Sequence, residues 1–310
     1  MREFSKRCII NHSLYGYGLC VCYGVAATTS NAVERERLMQ QQITIGSQAH
    51  KELMCRFFID SHVAFDPATV CWPALRTEEL ERLCSLPFWA EAVTTERMTA
   101  CTIQALAPLQ TDPLLHAAIA LQGLEEQRHA ALLQHLTSYY GIPVPRQPAP
   151  QPPLDVEWAF LCTGYSECFD AFFTFALFAI ARDTGFFPSA LVDIFEPVMQ
   201  EEARHTLFFV NWEAYCQAQR PFWQRPWHLW RGAVGRGLQV WHRLQMARGM
   251  GGQGDFTLKG HQALSTAISP RRFLQLCMQE NDRRLRHYDA RLLRPRLVPG
   301  IARALAHFLP

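Results

Sequence analysis

Eleven cysteines occur in the chain, yet none forms a CxxC pair; the tightest spacing is Cys20 to Cys22. A structural zinc site of the CxxC kind is therefore excluded, and the odd, scattered count does not make a disulfide framework. The cysteines read as reduced thiols of a cytoplasmic protein. Charge is scarce as well: 19% of residues are ionised and the net charge is only +2, so no nucleic-acid partner is expected. Strand signals are few beyond residue 48. No flavin fingerprint or reductase motif is present, so any redox chemistry must draw electrons from a separate protein. What the chain does have is apolar mass. Hydrophobic residues make up 49% and aromatics 12% of 310 residues, enough for one large core or two modest ones.

Three regions are expected. Residues 1–45 open with a basic stretch and a weakly apolar one, but Asn11, His12 and Ser13 interrupt the latter. A loosely ordered extension is favoured over a signal peptide. Residues 46–220 read as a helical bundle with leading helices over 49–62 and from Thr77, taken as a cap. Four long segments follow, at about 88–109, 112–140, 155–183 and 188–217. Asp112 and Pro113 signal the start of the second. The proline-rich stretch 141–154 separates the pairs and cannot be helical. Helix, turn, helix, long crossover, helix, turn, helix is the connectivity of a four-helix bundle with one long crossover. The third segment is apolar enough to span a bilayer, but Glu167 and Asp170 near its middle favour the centre of a soluble bundle.

Residues 221–310 are basic and aromatic. Over 221–248, Trp223, Trp227, Trp230, Val234, Leu238 and Trp241 share one helical stripe, and a glycine-rich break follows. Ser269 and Pro270 start another helix, and Pro295 and Pro299 are expected to close the chain down. The favoured reading has these helices cover the bundle; the other sets the stripe against a membrane surface.

The chemistry is carried by a repeat. Glu125–Glu126–Gln127–Arg128–His129 and Glu201–Glu202–Ala203–Arg204–His205 lie 76 residues apart. Glu and His at i and i+3 share one helix face, where both can ligate one metal ion. Two further carboxylates from the other two helices would complete a two-metal site. Glu96 lies 30 residues before Glu126, and Glu167 lies 35 before Glu202. Those intervals suit antiparallel helices that reverse through a short turn, at about 1.5 Å of rise per residue. Asp170, one turn beyond Glu167, is a substitute or additional ligand.

Over residues 88–217 this pattern resembles the ferritin-like superfamily of carboxylate-bridged di-iron proteins. That superfamily includes multicomponent monooxygenases, reductase small subunits, acyl desaturases and rubrerythrin. The resemblance implies an all-α, ferritin-like four-helix bundle holding two iron ions, with manganese an option in one or both positions. Glu96, Glu126, His129, Glu167, Glu202 and His205 would be the ligands. Glu125 and Glu201 would support metal-bound histidines, with Arg128 and Arg204, at i+3 from those acids, holding them in place. Departures narrow the family. Leu133 stands where radical-bearing subunits have tyrosine, and Val198 where arylamine oxygenases have a third histidine. Phe172, Phe175, Phe178 and Phe209 offer an apolar lining, or simply core. The expected activity is that of an O2-dependent oxygenase or oxidase acting on a partly apolar small molecule. An iron-storage or peroxide-scavenging protein and a non-redox helical binding protein are the alternatives.

Overall fold

Side-chain caps mark where several of the helices begin. Residues 43–247 and 268–309 are described by a computed structural model; residues 1–42 of the expected extension and the glycine-rich break lie outside them. Asp112 accepts hydrogen bonds from the amides of Leu114 and Leu115, and Pro113, which has no amide hydrogen to satisfy, takes the first turn. Asp155 caps the next long helix through Trp158, and Ser269 caps a later one through Arg272.

The elements, in order, are α1 (Gln48–Asp60), α2 (Thr77–Ser85), α3 (Trp89–Leu106), α4 (Pro113–Tyr139) and α5 (Val156–Asp183). Then come α6 (Ser189–Ile194), α7 (Glu196–Gln219), α8 (Arg225–Ala247), α9 (Pro270–Leu285) and α10 (Leu297–Phe308). No strand occurs among the described residues. Short 3-10 turns at Pro67–Thr69 and Ala107–Leu109 link the first helices.

Three local expectations are corrected. The cap of α2 is Arg76, not Thr77: the Glu79 carboxylate accepts from the Arg76 amide and from its guanidinium. The fourth long segment is two helices, because Pro197 lacks the amide that would bond back across Phe195, and the chain restarts there. The last prolines do not end the structure. Pro299 sits in the first turn of α10, where its missing amide costs nothing.

Helices α3, α4, α7 and α5 form a ring in which α3 touches α4 and α5, and α7 touches the same two. α1 lies over the seam between α4 and α7. The connection 141–154 runs beside α3, where Arg97 donates to the carbonyls of Gln147 (3.4 Å) and Pro148 (3.1 Å). It leaves α4 through Gly141 at φ 68°, a left-handed turn in which Ile142 donates to the Thr137 carbonyl at 2.8 Å. By length and composition α5 could cross a membrane, but 61% of its most apolar window is buried inside the protein. It packs against α3, α7, α8, α9 and α10, as an all-round apolar helix at the centre of a fold must.

Candidate metal centre

Each helix of the ring brings a ligand-type side chain to one level. Glu96 comes from α3, Glu126 and His129 from α4, Glu167 from α5, and Glu202 and His205 from α7. Their ligand atoms form two groups that share Glu126. One is Glu96, Glu126, His129 and Glu202; the other is Glu126, Glu167 and His205, with atoms in each group within 4.8 Å of one another. Nδ1 of His129 lies 3.2 Å from Glu202, 3.6 Å from Glu126 and 3.7 Å from Glu96. Nδ1 of His205 lies 2.8 Å from Glu126. The two rings are 5.6 Å apart.

Proximity alone does not make a metal site; the state of the polar atoms is more telling. Oε1 of Glu126, both oxygens of Glu167 and Nδ1 of both histidines are buried with no hydrogen-bond partner. A buried polar atom left unpaired costs on the order of 1–3 kcal/mol, and more when charged. Five such atoms facing one volume is the pattern a cation resolves. Charge agrees: four carboxylates and two neutral imidazoles balance two divalent cations. The donor set is oxygen-rich and hard.

The outer nitrogens of the histidines are fixed by the first acid of each repeat, and the pairing is crossed. His129 on α4 donates from Nε2 to Glu201 on α7 at 2.8 Å. His205 on α7 donates from Nε2 to Glu125 on α4 at 2.8 Å. Arg128 bonds Glu201, and Arg204 bonds Glu125 at 3.0 Å. The arginines thus hold the acid of the other helix rather than the one at i−3 on their own, which corrects the expectation. Because a carboxylate can only accept, each Nε2 carries a proton, and each Nδ1 faces the carboxylate cluster, where it is the nitrogen that an ion would take in place of a proton.

His62, just past α1, went unread in the sequence. Its Nδ1 donates to Glu125 at 2.5 Å. Ser61 accepts from Arg204 Nε at 2.9 Å, and the Phe58 carbonyl accepts from the same guanidinium at 2.6 Å. No spacing rule links residues 58–62 to either repeat; only tertiary packing brings them there. His62, Glu125 and Glu201 also converge closely enough for a metal. Here, however, Arg128 and Arg204 already supply the positive charge.

Electrostatics follows from burial and crowding in the metal-free chain. Burial, reinforced by Glu126, pushes the Glu96 carboxyl up to about 8 even though His129 opposes it. The same two causes raise Glu167 well above the ordinary carboxylate range. Burial pushes Glu126 up too, but His205 and His129 outweigh it and hold this carboxyl low. Burial disfavours both imidazolium forms; even so, the surrounding carboxylates raise His129 and His205 well above their ordinary value. At Glu125 burial is outweighed by His205, Arg204 and His62, which hold it at about 2.

A cavity of about 220 Å³ opens from these carboxylates and runs between the helices. Thr99, Leu133, Leu136, Leu177, Phe178 and Val198 are among its walls. Leu133 and Val198 therefore both face this chamber. Of the four expected lining phenylalanines only Phe178 lies on it. Phe175 and Phe209 belong to the main core, and Phe172 packs toward α9 and α10. Phe209 fills the space that Gly164 leaves, since a Cβ at Gly164 would fall inside its ring. Asp170 is in neither ligand group: Arg243 donates to it at 2.6 Å and Ser166 at 2.9 Å. It stands between the apolar chamber and a second, polar cavity of about 440 Å³ against α8, and with Thr95 it borders both.

No protein-family model, curated protein or solved structure matches the chain.

Proposed function

We propose that the protein is a ferritin-like dimetal oxidoreductase that uses dioxygen to oxidise an apolar small molecule. The observation that carries this reading is the set of unpartnered carboxylate and imidazole atoms at the wall of an apolar chamber. Glu96, His129 and Glu202 would hold one ion and Glu167 and His205 the other, with Glu126 shared by the two groups. Two iron ions in such a set supply the electrons that reduce dioxygen and the oxidising power to attack a nearby C–H bond or amine.

The chain's own residues do the rest. Glu125 and Glu201 orient the imidazoles through Nε2 and leave Nδ1 as the nitrogen that would meet an ion. Leu133, Leu136, Leu177 and Val198 exclude water and leave room for an apolar substrate beside the carboxylates. Iron storage or peroxide removal calls only for an aqueous path, so an apolar chamber favours oxidation of a bound substrate. Electrons would come from a separate protein.

Purification under anaerobic conditions with ferrous iron should yield about two irons per chain, as dimetal carboxylate bundles hold. Glu202→Ala or His129→Ala should bring this below one, read by elemental analysis alongside circular dichroism. Rapid mixing with O2 should then give a transient absorbance change that the variants lack. A folded chain that takes up no metal would overturn the proposal.

A further inference from the structure

The outer face of α8 and the turn that leads into it bear a row of large side chains open to solvent. Trp223, Trp227, Trp230, Leu238 and Trp241 are 66%, 57%, 55%, 49% and 54% exposed. Successive intervals of four, three, eight and three residues place them on one stripe. Trp227 and Trp230 stack on each other at 4.9 Å. The stripe was expected to cover the bundle, but the opposite face does so. Gly232 and Gly235 let α8 approach Tyr165 so closely that a Cβ would lie 2.9 Å from its hydroxyl at Gly232 and 2.9 Å from its ring at Gly235. Arg231 pairs with Asp155 at 2.8 Å, Arg236 with Glu213 at 2.9 Å and Arg243 with Asp170 at 2.6 Å. These contacts fix the helix rotation and turn the tryptophans outward.

We infer that this face docks the protein on the surface of an anionic lipid bilayer. Tryptophan is the side chain whose apolar ring and single N–H suit the headgroup–acyl boundary. An amphipathic helix that lies in that plane presents such a stripe. Charge points the same way. From residue 214 to residue 254 there is no acidic residue, so nothing on the helix repels phosphate. The same bookkeeping separates a bilayer from nucleic acid. Three arginines of α8 are committed to acids of the bundle, which leaves too little free positive charge for phosphate binding to lead. Ring insertion leads, and attachment is then only weakly sensitive to salt. Leu238 and Trp241 also line the polar cavity that meets the apolar chamber at Thr95 and Asp170. Docking therefore sets that cavity against the headgroup layer. A membrane-dissolved substrate would enter by this route, a corollary that rests on the proposed function, whereas docking does not.

The test uses the full chain with vesicles of phosphatidylcholine alone or with added phosphatidylglycerol. Co-sedimentation with the anionic vesicles is expected, together with a blue shift of tryptophan emission and quenching by brominated acyl chains. Replacing Trp223, Trp227 and Trp230 together by Ser should weaken partitioning by about tenfold or more. Circular dichroism and metal content should not change, since all three side chains are exposed. Raising the salt should weaken binding only a few-fold. Absence of vesicle binding, or unchanged binding by the triple variant, would overturn the inference. So would vesicle binding abolished by salt, which would mean that charge and not ring insertion holds the protein to lipid. A dimer dispersed by the same substitutions, with no vesicle binding, would assign the face to a second copy instead.

Discussion

Glu125 accepts from His62, Arg204 and His205 at once, deep in the protein. Removing its charge leaves a buried guanidinium without its counter-ion, so Glu125→Gln should cost about 3 kcal/mol or more in denaturant unfolding. Its low pKa also sets a pH window. The ordinary value is 4.5 and the folded one about 2, so its contribution is complete above 4.5 and vanishes as the pH falls toward 2. The wild type should lose stability over that interval, and the variant should lose less. Gly164→Ala should destabilise by about 1–3 kcal/mol, because Phe209 occupies the space; Phe209→Leu in the same chain should recover part of the loss. At this scale the six ligand-type residues were legible, since Glu and His at i and i+3 and the two isolated glutamates follow from helix geometry. His62 and Ser61 were not, because nothing local marks a side chain whose partner lies 63 or 143 residues away. The crossed arginines were misread for a similar reason: spacing on one helix says nothing about a closer acid on the next.

Among the elements, the capped starts of α4 and α9 and the proline-rich connection were readable from Asp, Ser and Pro positions. The break at Phe195 was signalled by Pro197 but passed over. For α8 the stripe was visible, whereas its direction was not. Periodicity finds two faces, and the fold chose the one with glycines for close packing. The chamber depends on four helices and had no linear signature. Its walls still allow a direct check. Val198→Phe projects a larger ring into it, so binding of a small apolar fluorophore should fall about tenfold, equal to about 1.4 kcal/mol. Metal content should stay at the wild-type level, since Val198 offers no ligand atom.

For the molecule as a whole, the acid-rich centre is a strain that a bound metal would relieve. In the metal-free chain Glu96 titrates near 8 instead of 4.5, and His129 and His205 are raised as well. Groups raised on folding favour the folded state most at low pH and lose that contribution as the pH rises through their folded values. The metal-free melting temperature should therefore fall between about pH 5 and 8. Metal binding displaces those protons, so affinity should grow over the same range and the gap between loaded and empty protein should widen. Calorimetry at several pH values reads both. The crossed acids give the repeat a further property. Each copy of Glu-Glu-X-Arg-His is completed by the other, its histidine steadied by a carboxylate a bundle helix away. Neither half is a self-sufficient module. A chain cut at the proline-rich connection would inherit one motif and lose the part that makes it work, so the two halves can change only in step.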